Sequence, residues 1–295
     1  MIAFVGSYGV GITFRVPRVP DAGETLSGAS LAMGHGGKSS NQAIAAARQG
    51  ASTSLLTAIG GDGFGSAARE LWEQEGIDYS TSFTLDDSET MAGIILVEPD
   101  GSNRIAIASG ALDLLTPGLM EEKRGLFEAA DIVVITLEIP VETAERAIEL
   151  AHEAGSTIIL NPAPAAELSS VAISRADYFI PNESEYAFYS SLGYQRPAGQ
   201  TLIVTLGKAG ARVETDEGSV EFDPIDPFAP VVDTTGAGDT FVGSFAAALS
   251  QGLPLSDVMQ RAIAASALSV TKPEVVPSIP DASAVDALIS KVVET

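Results

Sequence analysis

The residues best suited to chemistry stand where an apolar run gives way to a long helix, in VVDTTGAGDTFVGSFAAAL. Gly236, Ala237 and Gly238 lack bulky side chains, so backbone amides can face a ligand there, and a helix start attracts anions by geometry and dipole. Asp239 lies at the mouth of this turn. The pattern favours phosphoryl transfer, in which amides hold phosphate charge and a carboxylate accepts the nucleophile's proton. The alternative is that Asp239 only caps the helix.

A second stretch, GHGGKSSNQA, places Gly-Lys-Ser just ahead of an Ala-rich helix. A P-loop needs a glycine five residues before Gly37, because the loop bends tightly enough for its amides to converge on phosphate. That position is Ala32. The stretch is therefore not a P-loop, and its glycines and Lys38 need another explanation.

Composition narrows the class of protein. The 295 residues carry a net charge of -23, which argues against nucleic acid and anionic membrane surfaces as partners. Cysteine is absent, so disulfides are excluded, and no structural metal is expected. MIAFVGS has no basic leader, and no apolar run approaches the roughly 20 residues of a membrane-spanning helix. We therefore expect a cytoplasmic protein.

Short apolar runs alternate with helical stretches along most of the chain. The predicted strands include IAFV, STSLLTAIG, DIVVITLE, STIILNP and TLIVTLG, and a helix is predicted from about Ser40 to Gln49. Three helices in series are predicted at the end, in GDTFVGSFAAALSQG, LSDVMQRAIAASALSV and DASAVDALISKVV. Apolar strands separated by helices predict an α/β fold with a parallel sheet covered on both faces.

Two regions without helical patterns interrupt the alternation, and the second contains two period-2 strands. EPDG marks a hairpin turn in the second of them. We expect these regions, residues 11–33 and 89–109, to pair as a small antiparallel sheet that forms a lid or an oligomer contact. Residues 1–10, 34–88 and 110–295 would then form the α/β core.

Six motifs together carry a resemblance to a known family: GGKSSNQAIAAARQGA, LNPAP, PNESE, TLGKAG, DTTGAGDTF and PSIP, in this order. The chain resembles the ribokinase-like, or PfkB-type, carbohydrate kinases, and its pattern is closest to that of the ribokinases. The resemblance implies a three-layer domain with a central, mostly parallel sheet and a small β-sheet lid.

The resemblance also implies roles at the phosphoryl-transfer end of the site. Asp239 would be the catalytic base on a sugar hydroxyl, with the Gly236–Gly238 turn as the anion hole. Asn182 and Glu185 match an N-x-x-E motif that positions Mg²⁺ through water and helps to hold the ATP phosphates. Thr205 and Gly207 correspond to nucleotide-contacting positions. Read without the family, Asn182 and Glu185 predict a capping box.

Sugar and cation positions follow in the same way. Gly36, Gly37 and Asn41 correspond to sugar contacts, where bare backbone lets hydroxyls approach and an amide both donates and accepts. Lys38 is expected at the same edge, and Glu138 matches an acid that contacts the sugar. A further set, Asp233, Thr235 and Ser278, falls where many family members bind a monovalent cation, usually K⁺.

Three departures from the family pattern bear on the substrate. Ribokinases follow the first strand with Asn-x-Asp, whose aspartate holds ribose hydroxyls, whereas this chain has Gly9 and Gly11 there. The segment from Asn182 to Leu202 is short, with room for one helix. Lys272, Pro273 and Glu274 replace a glycine-containing stretch beside the adenine and cation sites, which puts K⁺ activation in question.

The resemblance implies an ATP-dependent kinase that phosphorylates a primary hydroxyl of a pentose or similar polyol, as a dimer through the lid. Fructokinase-like, nucleoside-kinase-like and sugar-acid-kinase functions stay open, as does a non-catalytic sugar- or nucleotide-binding protein. Arg15, Arg18 and Arg104 on the predicted lid strands would suit an acidic substrate. A Rossmann dehydrogenase is excluded, because the first glycines lack G-x-G-x-x-G spacing.

Overall fold

The computed structural model of the protein describes residues 1–293. Its strands are β1 (Ile2–Val5), β2 (Gly9–Arg15), β3 (Ser30–Gly36), β4 (Thr53–Leu56), β5 (Ala58–Gly60), β6 (Phe83–Leu85), β7 (Ala92–Val97), β8 (Asn103–Ala108), β9 (Ile132–Ile135), β10 (Thr157–Leu160), β11 (Tyr178–Phe179), β12 (Thr201–Thr205), β13 (Ala211–Thr215) and β14 (Gly218–Phe222).

Helices lie between and after these strands. They are α1 (Lys38–Arg48), α2 (Gly63–Gln74), α3 (Pro117–Glu122), α4 (Arg124–Ala129), α5 (Val141–Ala154), α6 (Ser170–Ser174), α7 (Glu183–Ser191), α8 (Ala237–Ser250), α9 (Leu255–Ser269), α10 (Val275–Ser278) and α11 (Ala282–Val293). Short 3-10 turns at Gly110–Leu114 and Gly207–Ala209 complete the set.

The central sheet has the strand order β14-β13-β12-β11-β10-β9-β1-β4 within the described chain. Every pair from β12 to β4 is parallel, and β13 and β14 form an antiparallel edge. Alternate side chains of β1 enter opposite layers: Phe4 belongs to the core cluster that includes α1, α8 and α9, and Val5 to the cluster that includes α3, α4 and α5. The predicted mostly parallel, doubly covered sheet is thus confirmed.

The lid sheet has the order β3-β2-β7-β8. Each hairpin is antiparallel, as predicted, but β2 and β7 join in parallel, so the expectation of an antiparallel lid sheet is wrong at this junction. The reason is that period-2 patterns specify the faces of a strand and not which strand edges meet. The strands β2 and β3 also reach past the predicted lid limits of residues 11 and 33. The division into core and lid segments stays a prediction.

The helices predicted near the site are present in the structure. Helix α1 begins at Lys38, slightly before the predicted start, and α7 is the single helix between Asn182 and Leu202. The three C-terminal helices are present as α8, α9 and α11, with the unpredicted short α10 between the last two. Residues 294–295 of the predicted core lie outside the described residues. No helix in residues 1–293 is long and apolar enough to cross a bilayer.

Helices α1 and α8 lie unusually close together. A Cβ built on Gly243 would sit 2.2 Å from the Gln42 carbonyl oxygen and 2.7 Å from Ala45 Cβ, so α8 has no room for a side chain there. On its other side α1 is fixed to α2, because the buried Trp72 indole donates to Ser40 Oγ at 2.9 Å. Helix α1 is therefore held between two partners.

The Gly243 contact predicts a stability effect. We expect Gly243→Ala to lower the free energy of unfolding by about 1–3 kcal/mol, because the added methyl group overpacks the interface. Chemical denaturation followed by circular dichroism measures it. The control is Gly125→Ala in α4, where a Cβ meets nothing within 4 Å, so stability should be unchanged or higher. Equal stability of Gly243→Ala and the wild type would contradict the packing argument.

Candidate active site

The start of α8 presents unpaired backbone donors. Gly236 has a φ of 78°, and a Cβ there would lie 2.4 Å from Val275 Cγ1, so the turn requires glycine. A Cβ on Gly238 would meet nothing within 4 Å, which shows open space in front of the turn. Within residues 1–293 the amides of Gly238 and Asp239 donate to no acceptor. The helix start thus offers free N–H groups to an anion.

The Asp239 carboxylate is held by two side-chain amides from α1. Asn41 Nδ2 donates to Oδ2 at 2.9 Å and Gln42 Nε2 donates to Oδ1 at 3.1 Å. The same Gln42 nitrogen donates to Asn161 Oδ1 at 2.9 Å, which ties the arrangement to the end of β10. The N-cap of α8 is Gly236, so the alternative that Asp239 is only a helix cap is wrong.

Four charged side chains influence one another here. Burial raises the pKa of Asp239, against the opposing charge of Lys38 and the donors Asn41 and Gln42. For Lys38, burial lowers the pKa, but the carboxylates of Asp239, Glu138 and Glu185 outweigh burial and raise it. Lys38 therefore stays protonated at neutral pH and supplies positive charge to an otherwise acidic protein.

The loop before α1 brings the predicted sugar-contacting residues to this point. Gly37 has a φ of 91°, and a Cβ there would lie 2.4 Å from Tyr8 Cα, so the chain passes too close for a side chain. Glu138 Oε2 accepts from the Lys38 amide at 2.9 Å and from the Ser7 hydroxyl. Glu138 therefore closes the start of α1 and faces the same cleft as Lys38.

Asn41 has one amide atom free. Its Nδ2 is used by Asp239, while its Oδ1 is buried and has no hydrogen-bond partner in the described part of the chain. An unpaired buried acceptor is costly unless a ligand or water satisfies it. A substrate hydroxyl that donates to Oδ1 would lie next to the Asp239 carboxylate.

Asn182 and Glu185 form the predicted capping box at the start of α7. Asn182 Oδ1 accepts from the Glu185 amide at 2.9 Å, and Glu185 Oε2 accepts from the Asn182 amide at 2.8 Å. Burial raises the pKa of Glu185, opposed by the Asn182 amide and Lys38 and reinforced by the charge of Asp239. The capping interpretation is confirmed, and the same carboxylate lies within electrostatic reach of the α8 turn.

The predicted nucleotide positions follow the next strand. The Thr205 amide donates to the Pro181 carbonyl at 3.0 Å, which places the end of β12 beside Asn182. Gly207 then turns the chain with a φ of 53°. The parallel strands β11 and β12 both end at the carboxyl edge of the sheet, where parallel sheets bind ligands.

The predicted cation residues flank the same turn. Asp233 Oδ1 accepts from the Thr235 amide at 2.9 Å and from its hydroxyl at 2.7 Å, and Ser278 Oγ donates to the Val275 carbonyl at 2.7 Å. The Gly236–Val275 contact brings these two segments together. In residues 1–293, no three His, Cys, Asp or Glu side chains are grouped to hold a metal ion directly.

Sequence reasoning missed three polar residues of the site: Ser7, Gln42 and Asn161. Gln42 is fully buried in the Ala-rich α1, and an amide in an apolar helix is the signal that could have identified it. Asn161 lies in the quoted LNPAP motif and received no role, although its Nδ2 also donates to the Ile180 carbonyl at 2.9 Å. Ser7 follows β1 and gives no local signal.

Comparison with known proteins agrees with this geometry. The chain matches the profile of the pfkB family carbohydrate kinases over residues 1–282. A ribokinase from Bacillus subtilis (strain 168) is 36% identical, over 98% of this chain and 99% of the relative. A deoxyribokinase from Salmonella typhi is 33% identical, over 92% of each chain.

Solved structures give the same result. A structure of Arabidopsis thaliana ribokinase complexed with ribose and ATP superposes with a TM-score of 0.90 at 26% identity, over 98% of each chain. The resemblance drawn from the six motifs is confirmed. The chain belongs to the pfkB family of carbohydrate kinases.

Proposed function

We propose that this carbohydrate kinase transfers the γ-phosphoryl group of ATP to a primary hydroxyl of a pentose or similar polyol. One observation carries the proposal: two side-chain amides of α1 hold Asp239 at the open start of α8. Ribokinase relatives, one of them solved with ribose and ATP, support both the donor and the class of acceptor.

In the proposed mechanism the acceptor hydroxyl lies between Asn41 Oδ1 and the Asp239 carboxylate. As the new O–P bond forms, the hydroxyl proton passes to Asp239, the bond to the β-phosphate oxygen breaks, and ADP leaves. The free amides of Gly238 and Asp239 stabilise the charge on the transferring group, and Lys38 adds positive charge nearby. Because the transition state is loose, a carboxylate is a sufficient base.

Asn182, Glu185, Thr205 and Gly207 are the proposed nucleotide-side residues. The buried Glu185 carboxylate and the free α8 amides fit a magnesium–nucleotide complex, and Mg²⁺ would be positioned by Glu185 through water. The ion would neutralise phosphate charge.

A monovalent cation such as K⁺ is proposed beside Asp233, with Thr235 and Ser278. Asp233 Oδ1 already accepts two hydrogen bonds from Thr235, which leaves Oδ2 as the oxygen for the ion.

The open alternatives within the family differ in acceptor. Arg18 pairs with Glu24, and Arg104 pairs with Glu98 at 3.1 Å, so both charges are already balanced inside the lid. Arg15 is exposed at the end of β2 and has no ion-pair partner among residues 1–293, so these two pairings disfavour an acidic sugar only at Arg18 and Arg104. An ADP-release assay with pentoses, hexoses, polyols, sugar acids and nucleosides, in K⁺ or Na⁺, separates the alternatives. If no acceptor raised ADP release above background, only the non-catalytic binding protein would remain as an alternative.

We propose a cytoplasmic location for the enzyme.

The proposed base gives a first prediction. Asp239→Asn should lower kcat by about 10²- to 10⁴-fold, because the proton acceptor is lost. Binding of ATP, measured by calorimetry, should change little, since the carboxylate faces the acceptor. Asp257→Asn is the matched control, because Asp257 is an exposed aspartate in the first turn of α9. A near-normal rate for Asp239→Asn would refute the role.

The same variant should be more stable than the wild type at neutral pH. Burial raises the Asp239 pKa above its value in the unfolded chain, so the stability that Asp239 contributes is present at low pH and lost as pH rises through the folded-state pKa. Asparagine does not titrate, and the Asn41 amide can turn to accept from it. Melting temperatures should therefore favour Asp239→Asn at pH 7, by a margin that shrinks towards pH 4. A variant less stable at pH 7 would contradict this.

The proposed dimer rests on the lid. Large apolar side chains are exposed on both faces of its sheet: Leu31, Met33, Ile94, Ile105 and Ile107. Met33 and Ile94 flank Ile12 on one face, and Ile105 and Ile107 lie on the other. Exposed apolar surface of this extent marks an interaction site, and a second copy of the lid offers complementary apolar surface.

The lid contact predicts the oligomeric state. Ile107→Lys should convert the dimer to a monomer, because a charge would be buried against apolar side chains. Sedimentation velocity over a range of protein concentrations measures the change. Val220→Lys on the edge strand β14, where Val220 is 57% exposed against 62% for Ile107, is the matched control. A monomeric wild type would overturn the dimer, and an Ile107→Lys variant that stays dimeric would overturn the lid as its contact.

A further inference from the structure

Glu274 has a backbone conformation that side chains almost never adopt. Its φ is 65° and its ψ is 158°, a region essentially restricted to glycine. Within residues 1–293 only one other non-glycine residue, Phe228, has a positive φ. Strain of this kind persists only where the surroundings impose it, and it concentrates at ligand sites.

The surroundings do impose it. Val275, the residue after Glu274, fills the space that a side chain on Gly236 would need. The Arg48 guanidinium donates to the carbonyls of Val276 at 2.8 Å and Ile279 at 2.7 Å, which fixes α10 against α1. Glu274 is thus held rigidly beside the anion-binding turn.

The Glu274 side chain extends towards the lid. Its Oε2 lies 4.0 Å from the place where a Cβ on Gly34 would be. Gly34 pairs with Gly11 and Gly36 pairs with Gly9, so these four glycines lie on one face of the β2–β3 hairpin. In residues 1–293 the carboxylate has no hydrogen-bond or ion-pair partner.

The four glycines give their part of this face no side-chain hydrogen-bond acceptor. A Cβ on Gly9 would lie 2.3 Å from Met91 Cε, so Met91 fills the space there. A Cβ on Gly11 would meet only Ile95 Cδ1 at 3.6 Å and the Gly34 carbonyl at 3.9 Å, so space remains above Gly11. The hydroxyl groups of a bound sugar need hydrogen-bond acceptors, and a buried hydroxyl without one weakens binding.

On the basis of the proposed function, we propose that Glu274 determines acceptor specificity, with its carboxylate accepting hydroxyls of the sugar in the space above Gly11. In ribokinases the carboxylate is an aspartate that follows the first strand, whereas here it comes from the C-terminal segment. A carboxylate binds two neighbouring hydroxyl donors well and repels an anionic group. The acceptor is therefore a neutral polyol with hydroxyls remote from the phosphorylated one.

Glu274→Gln and Glu274→Gly test the proposal with the acceptor, D-ribose, 2-deoxy-D-ribose or D-xylose, that the wild type phosphorylates fastest. Both variants should raise the acceptor KM about tenfold or more and leave the KM for ATP unchanged. Glu274→Gly should also melt at a higher temperature, because glycine adopts this backbone without strain. Gly11→Asp in the Glu274→Gly background should restore a low acceptor KM.

The controls separate this inference from the proposed function. Glu217→Gln, at an exposed turn between β13 and β14, should leave both KM values unchanged. A wild type that phosphorylates a pentose, with an unchanged acceptor KM in Glu274→Gln, would overturn the Glu274 role and leave the kinase function standing. A raised KM for ATP alone would also overturn it, because the carboxylate would then face the nucleotide. A wild type inactive on every acceptor would instead refute the proposed function.

Discussion

Helix α1 brings its amide side chains to Asp239 only because Gly243 lets it lie against α8. Through this contact Asn41 and Gln42 reach both oxygens of a buried carboxylate. The loop that precedes α1 and the turn that precedes α8 are consequently fixed relative to each other. Two motifs almost 200 residues apart form one site because two helices share a small interface.

Charge gives this site its second constraint. Asp239, Glu138 and Glu185 would repel one another in a buried cleft, and Lys38 is the cation that stabilises all of them. The protein as a whole is strongly acidic, so positive potential has to be built locally from one lysine and free backbone amides. An anionic phosphate adds to the same balance, which explains why the donors around the α8 turn lack partners among the described residues.

Sequence patterns predicted the fold, and they named most of the residues that the structure brings together at the candidate site, for identifiable reasons. The apolar periods of the strands and helices predicted the layers of the fold, and the glycine-rich turn before Asp239 predicted free backbone amides there. The parallel junction of β2 and β7 could not be predicted, because register depends on tertiary contacts. The amide of Gln42 in an apolar helix signals that it needs a polar partner, but the sequence does not show that this partner is Asp239. The strain at Glu274 appears only in backbone angles.

Gly37 alone separates the last residue of lid strand β3 from the first residue of α1. Inserting one residue here would rotate the residues of α1 by about 100° about the helix axis. The side-chain amides of Asn41 and Gln42 would then no longer point at Asp239. The outer turns of the lid have no such coupling, since their ends return to the same sheet. Length changes at those tips would therefore reshape what the lid covers without altering the joint between β3 and α1.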